Sequence, residues 1–278
     1  MRSATTPAFS RHFEGFHEGG AASAAQSGPI VRVFERVQPG PEETLMEALS
    51  TGIRSGFFGD LSACWVGRGM TIGPGDPDYL IASHTPALLQ FEAIEEPHWW
   101  ALALLQQVPG CTSARMAEHL GSKQSRAERV LSGLVHLGLV RLSSDGHFSL
   151  AESSREPLVE VVAIEAKVSR WKEAVRQAVK NRQFSHRSYV ALPWALAAKV
   201  SMDPLFQIHH LGLLGIDEVG LVDILLAAPS ARPVAWHHYF ELASKAARSM
   251  LQGDPCLTTR FLSTRPSEDS LNSTSFRL

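Results

Sequence analysis

Glu165 and Lys167 follow the apolar run Val159–Ile164 and are separated by Ala166 alone. Alternate residues of a strand share a face, so the two side chains are expected together at one strand end. A carboxylate and an ammonium group are costly to bury there unless they pair with each other or serve a reaction. Two chemistries follow. One is a structural ion pair; the other is a site that puts the two charges to use in a reaction. The charge distribution bears on the choice. Residues 29–96 carry four Lys/Arg (Arg32, Arg36, Arg54, Arg68) against ten Asp/Glu, whereas residues 167–187 carry seven basic residues against Glu173 alone. An acidic half facing a basic segment suits a site that binds a metal on one side and phosphate on the other. The competing account is two solvated faces that never meet.

The elements that must position these groups can be read from patterning. Pro41-Glu42-Glu43 opens an apolar-periodic stretch with Leu45, Met46 and Leu49; proline in the first turn and carboxylates beside the positive helix end mark a helix start. Leu61–Val66 and Tyr79–Ala82 read as short strands, the second preceded by the turn-rich segment 73–78. A helix is expected from about Ser169, with Trp171, Ala174, Val175, Ala178 and Val179 on its apolar stripe and Lys172, Arg176 and Lys180 along another face. Ser188–Leu192 reads as a strand, followed by two more apolar runs within 211–217 and 220–228. Strands alternating with helices imply an α/β layer.

Between these halves lies a different pattern, residues 97–155. Trp99, Trp100, Ala103 and Leu104 mark one helical stripe. Thr112 caps a short helix ending at Gly121, and Ala127, Val130, Leu131, Leu134 and Val135 mark a third helix. Leu139–Leu142 and His147–Leu150 flank a turn. Three helices closed by a two-strand hairpin resemble the winged-helix form of helix-turn-helix. That resemblance implies a third helix aimed at the DNA major groove, with Lys123, Gln124, Arg126 and Arg129 at its exposed start. The block nets only +2, so protein contact is the competing use.

Composition excludes several classes. With 44% hydrophobic and 19% charged residues, 278 residues can build a real core. No apolar run approaches the ~18 residues of a membrane span, and no signal-peptide pattern opens the chain. Cys64, Cys111 and Cys256 are too scattered for a disulfide scaffold or a cysteine zinc site, which fits a reducing cytoplasm. A net charge of −2 excludes a strongly basic nucleic-acid coat. His209-His210 and His237-His238 are adjacent pairs whose rings regular geometry would point apart, so neither reads as a chelate. Residues 1–28 read as a disordered arm and 253–278 as a flexible tail.

The segment VVAIEAKVSRWKEAVRQAVKNRQFSHRSYVALP is similar to the core of the PD-(D/E)xK phosphodiesterases, which include restriction endonucleases and Holliday-junction resolvases. The resemblance implies a restriction-endonuclease-like α/β core, a mixed central sheet flanked by helices, formed by 29–96 and 156–252 with 97–155 inserted. It implies Asp78, after Pro77, as the upstream acid, with Asp76 and Asp60 as alternatives, and Glu43 or Glu47 as an additional acid on the first helix. Asp78, Glu165 and the Ala166 backbone carbonyl would ligate Mg²⁺ or Mn²⁺. Lys167 would orient water or stabilise the pentacoordinate charge, and Gln177 would support the site. Asn181 stands where many relatives have tyrosine. Lys172, Arg176 and Lys180 would hold the backbone of double-stranded or branched DNA, with a homodimer as a candidate assembly and no membrane partner. The expectation is a metal-dependent nuclease with a winged helix assisting DNA binding. The alternative is a transcriptional regulator or defence-associated adaptor on a catalytically inactive nuclease-like scaffold.

Overall fold

A computed structural model describes residues 31–34, 40–55, 57–59, 61, 63–217 and 219–251. Asp60, the expected arm and the expected tail lie outside the described residues. In chain order the first half comprises β1 (Val31–Val33), α1 (Pro41–Arg54), β2 (Cys64–Arg68), β3 (Tyr79–His84), α2 (Glu96–Gln107), α3 (Ser113–His119), α4 (Gln124–His136), β4 (Val140–Leu142) and β5 (Phe148–Leu150). The second comprises β6 (Leu158–Ala166), α5 (Trp171–Asn181), β7 (Arg187–Pro193), α6 (Trp194–Val200), α7 (Pro204–Ile208), β8 (Gly212–Ile216), β9 (Val222–Leu226) and α8 (Trp236–Leu251).

The architecture is α/β. One seven-stranded mixed sheet runs β1-β2-β3-β6-β7-β8-β9, with β6, β7 and β8 parallel and β3 antiparallel to β6. The parallel pairs are joined through α5 and through α6–α7, as parallel neighbours require a crossover. Strand alternation divides the core. Val162, Ile164, Tyr79 and Ile81 face α1 through Leu45, Met46, Leu49 and Ile53. Val161, Ala163, Leu80 and Ala82 face the other way, toward Tyr239, Phe240 and Ala243 of α8. Further along that face, Val190 and Leu192 pack on Ala174, Val175 and Ala178 of α5. Glu165 has the parity of Val161 and Ala163, so it lies on the α5 side of the sheet.

Residues 85–157 leave and re-enter the sheet at one point. His84 is in register with Leu158, and the Thr85 amide donates to the Pro157 carbonyl at 3.0 Å. The excursion holds α2, α3, α4 and a separate β4–β5 ribbon. Thr112 caps α3 by accepting from the Arg115 amide at 3.4 Å, and Gly121 turns the chain with φ +55°. Its core is continuous with the α8 face of the sheet, where Ser244 Oγ and Arg248 Nε donate to the carbonyls of Ile94 (3.0 Å) and Glu92 (2.9 Å). The expected stripe of α2 is displaced. Ala101–Leu105 are all buried and Trp100 is exposed, because α2 is enclosed by α8, α4 and β5 rather than resting on one surface. Among the described residues no helix is long and apolar enough to cross a membrane.

Candidate active site

The site assembles where β6 ends. Asp78 immediately precedes β3, at the base of a loop closed by a hydrogen bond from the Gly69 amide to the Asp78 carbonyl at 3.1 Å. Within that loop Ile72 and Gly75 exchange amide hydrogen bonds of 2.8 and 3.0 Å. Antiparallel pairing of Tyr79 with Ile164 then sets Asp78 beside the end of β6. There the Ala166 amide donates to Asp78 Oδ2 at 2.7 Å. The two are 88 positions apart in the chain and adjacent in space.

Lys167 Nζ lies 3.3 Å from Glu165 Oε1 and 3.7 Å from Glu42 Oε2. Glu42 comes from the first turn of α1, whose rotation is set by two ties to the sheet. Arg68 of β2 pairs with Glu43, and Tyr79 of β3 bonds Ser50 Oγ and donates to the Met46 carbonyl at 3.0 Å. With Glu43 taken up by Arg68, and Glu47 exposed one turn further on, the first-helix carboxylate that meets Lys167 is Glu42. The charge asymmetry of the sequence therefore closes at one point: an acidic residue of the first half touches the first lysine of the basic segment.

Helix α5 covers the inner side. Lys172, Arg176 and Lys180 are exposed on its outer face, while Gln177 is half-buried and Asn181 fully buried. Glu165 Oε2, Gln177 Oε1 and both amide atoms of Asn181 are buried without a hydrogen-bond partner. Asn181 is close enough to favour the Glu165 carboxylate electrostatically but lacks normal hydrogen-bond geometry with it. It also lies under the Asp78 loop, where a Cβ on Gly75 would sit 2.4 Å from its Oδ1. From α8, Lys245 Nζ donates to the Thr71 carbonyl at 2.7 Å, and His238 lies where a Cβ on Gly73 would be (φ +52°). The loop that carries Asp78 is thus held from α5 and α8 together.

Electrostatics follow from this enclosure. Burial, and then the neighbouring Asp78 charge, push Glu165 up to about 8, against the pull of Lys167 and Asn181. Burial also raises Asp78, opposed by the Ala166 amide and by Lys167. For Lys167 burial acts downward, yet the carboxylates of Asp78, Glu165 and Glu42 outweigh it and hold the ammonium above its ordinary value.

Sequence reasoning missed Glu42, Asn181 and Arg68. The i, i+4 spacing from Gln177 was a usable signal for Asn181. Arg68, 3% exposed with Nη1 unpartnered, carried none, since nothing nearby in the chain marks a buried arginine. Ala166 meets the site through its amide. Asp76 is exposed. On the excursion, Lys123, Gln124, Arg126 and Arg129 are all exposed, with the Gln124 amide donating to Glu128 Oε1 at 2.9 Å. The His237 and His238 rings do not point apart: their centroids are 3.9 Å from each other.

Among the described residues no three His, Cys, Asp or Glu side chains are grouped to hold a metal ion. A small hard cation needs less, since Mg²⁺ takes one or two protein carboxylates and keeps its waters. Asp78 and Glu165 are neighbouring carboxylates, close enough that the Asp78 charge raises Glu165, and the buried, unpartnered Glu165 Oε2 is the kind of atom a bound cation would satisfy. The chain matches no family model, no curated protein and no solved structure.

Proposed function

We propose that this protein is a metal-dependent nuclease of the PD-(D/E)xK type, with a restriction-endonuclease-like core and a winged helix formed by α2–α4 and the β4–β5 ribbon. The observation that carries the reading is the hydrogen bond from the Ala166 amide to Asp78. It brings an upstream acid to the end of a Glu-x-Lys strand, the arrangement that the resemblance to PD-(D/E)xK phosphodiesterases implies.

A divalent cation held by Asp78 and Glu165 would polarise a phosphoryl oxygen and make hydroxide available near neutral pH. The chain's own groups do the remaining work. The Ala166 amide fixes one Asp78 oxygen and leaves the other free to bind. Lys167, held above its ordinary pKa, stays protonated and stabilises charge gathering on the phosphorus oxygens. Glu42 and Glu165 hold that ammonium at the strand end. Lys172, Arg176 and Lys180 offer a row of exposed cations for the substrate backbone, and Lys123, Arg126 and Arg129 offer a second at the start of α4.

One observation favours the second reading, a regulator on an inactive scaffold: Lys167 is already enclosed by two carboxylates, as a structural ion pair would be. A plasmid-nicking assay with Mg²⁺, with Mn²⁺ and with EDTA separates the two. Metal-dependent nicking that EDTA abolishes supports the nuclease. Tight DNA binding without nicking under any metal supports the regulator.

A further inference from the structure

Trp100, in the second turn of α2, is 39% exposed although the five residues after it are buried. Its indole stacks on the His237 imidazole with centroids 3.7 Å apart and planes 12° from parallel, and His237 in turn lies 3.9 Å from His238. Burial and the adjacent His238 pull His237 down to about 4, so near neutral pH its ring backs the indole as an uncharged plane. An aromatic plate held this way loses little freedom when it is used in binding.

Trp100 also lines a cavity of about 390 Å³ together with Glu96, His119, Leu120 and Arg126. That volume stands near the lower end of the ~300–1,000 Å³ of small-molecule sites, room for one planar group rather than a stretch of chain. The chemistry of the lining narrows the occupant. Indole and guanidinium both stack on planar π systems. The Glu96 carboxylate accepts from amino groups and repels a phosphate. Adenine, guanine or cytosine, with a stacking face and an amino-bearing edge, suits all three. The backbone has a place close by, because Arg126 stands on α4 with Lys123 and Arg129, all exposed.

We propose that this cavity receives an unpaired nucleobase from a strand whose phosphates lie along the exposed start of α4. The inference rests on the nucleic-acid reading above and adds to it a preference for ends, overhangs or branched substrates over uninterrupted duplex.

The test is fluorescence anisotropy on the full chain in EDTA with three probes: a blunt duplex, the same duplex with a single-stranded overhang, and that overhang made abasic. Wild type should bind the overhang more tightly than the other two. Trp100→Ala should lower overhang affinity by about 10- to 100-fold, the worth of a stacked base, and leave the blunt duplex unaffected. Trp100→Phe, which keeps an aromatic face, should recover most of the loss. Equal affinity of wild type for normal and abasic overhangs would overturn the proposal, as would equal losses on all probes in Trp100→Ala. No binding of any probe by wild type would remove the nucleic-acid reading itself and this inference with it. Binding without an overhang preference removes only the assignment of the cavity.

Discussion

Asp78 accepts a 2.7 Å hydrogen bond from the backbone amide of Ala166, the residue between Glu165 and Lys167. One loop acid is thereby fastened to the strand end that carries the other acid and the lysine. The bond does two things at once, satisfying a half-buried carboxylate and fixing its distance from Glu165.

These two roles separate by substitution. Asp78→Ala leaves the Ala166 amide without its acceptor and should cost about 1–3 kcal/mol of stability. Asp78→Asn keeps an acceptor oxygen at the same place, so it should unfold in urea close to wild type. Both variants should lose Mn²⁺ binding by calorimetry. If Asp78→Asn bound Mn²⁺ as wild type does, the acid would have only a structural use.

The raised carboxyls predict an unusual pH dependence. Between the ordinary range near 4.5 and about 8, the unfolded chain has released the proton that native Glu165 retains. The native state binds more protons there, so this group makes stability fall as pH rises. Asp78, also raised, acts in the same direction. Lys167 does not oppose this in the same window, because its contribution is complete below its ordinary value near 10.5 and is lost only as pH climbs through the higher native one. The lowered His98, His186 and His237 act the opposite way up to about their ordinary value, equally in wild type and in Glu165→Gln, so the readout is the difference between them. In urea unfolding from about pH 5 to about pH 8, wild type should lose stability relative to Glu165→Gln. Adding Mg²⁺ should restore wild-type stability at the alkaline end, where the carboxylates are free to bind it, and should do little for Glu165→Gln. A wild type that gains stability relative to Glu165→Gln across this range would contradict the burial argument.

The strand-end placement of Glu165 and Lys167 was legible because strand period is strictly two and an apolar run ends just before them. The helix start at Pro41 was legible for an equally local reason. Which α1 carboxylate meets Lys167 was not, since Glu42, Glu43 and Glu47 differ only in helical phase. That phase is set by Arg68 and Tyr79 on distant strands. The clamp from α8 was hidden for the same reason: Lys245 reaches Thr71 across 174 positions of sequence. The displaced stripe of α2 shows the limit of periodicity, which assumes one buried face and fails for a helix enclosed on several sides. The resemblance to a nuclease core pointed to Gln177 and marked position 181 as a departure from the tyrosine of many relatives, but gave the Asn181 amide no role in the site.

Gly75 tests whether the Asp78 loop must sit this close to α5. A methyl group there would approach Asn181 Oδ1 to 2.4 Å and Phe184 Cε1 to 3.0 Å. Asn181 is fully buried and sits on α5, which packs into the sheet, so Gly75→Ala should move the loop rather than the helix. The expected cost is about 1–3 kcal/mol by thermal or urea unfolding. Cleavage should fall as well, because Asp78 leaves its place beside Glu165. Adding Asn181→Ala should recover part of the stability by opening space, and a double variant no more stable than Gly75→Ala would show that the contact is not what holds the loop.

Lys167 and the outer face of α5 should separate chemistry from binding. Lys167 is nine-tenths buried and pairs with Glu165 and Glu42, whereas Lys172 and Arg176 are exposed and make no ion pair with either. If Lys167 stabilises charge that develops only during the reaction, Lys167→Ala should lower single-turnover cleavage by ~10²–10³ and change DNA affinity little. Its removal leaves Glu165 without its nearest cation, which raises that carboxyl further and keeps it protonated, so the variant should still fold near neutral pH. Lys172→Ala with Arg176→Ala should do the reverse. Two lost phosphate contacts should weaken binding and reduce the slope of log affinity against log salt by about 1.8. Cleavage of bound substrate should proceed at the wild-type rate. Both variants are measured by single-turnover cleavage at saturating protein and by anisotropy across a salt series. Normal cleavage by Lys167→Ala, or its outright unfolding, would make the Glu165–Lys167–Glu42 cluster a structural ion pair and remove Lys167 from the chemistry, whereas DNA binding by wild type without cleavage would move the regulator reading ahead of the nuclease.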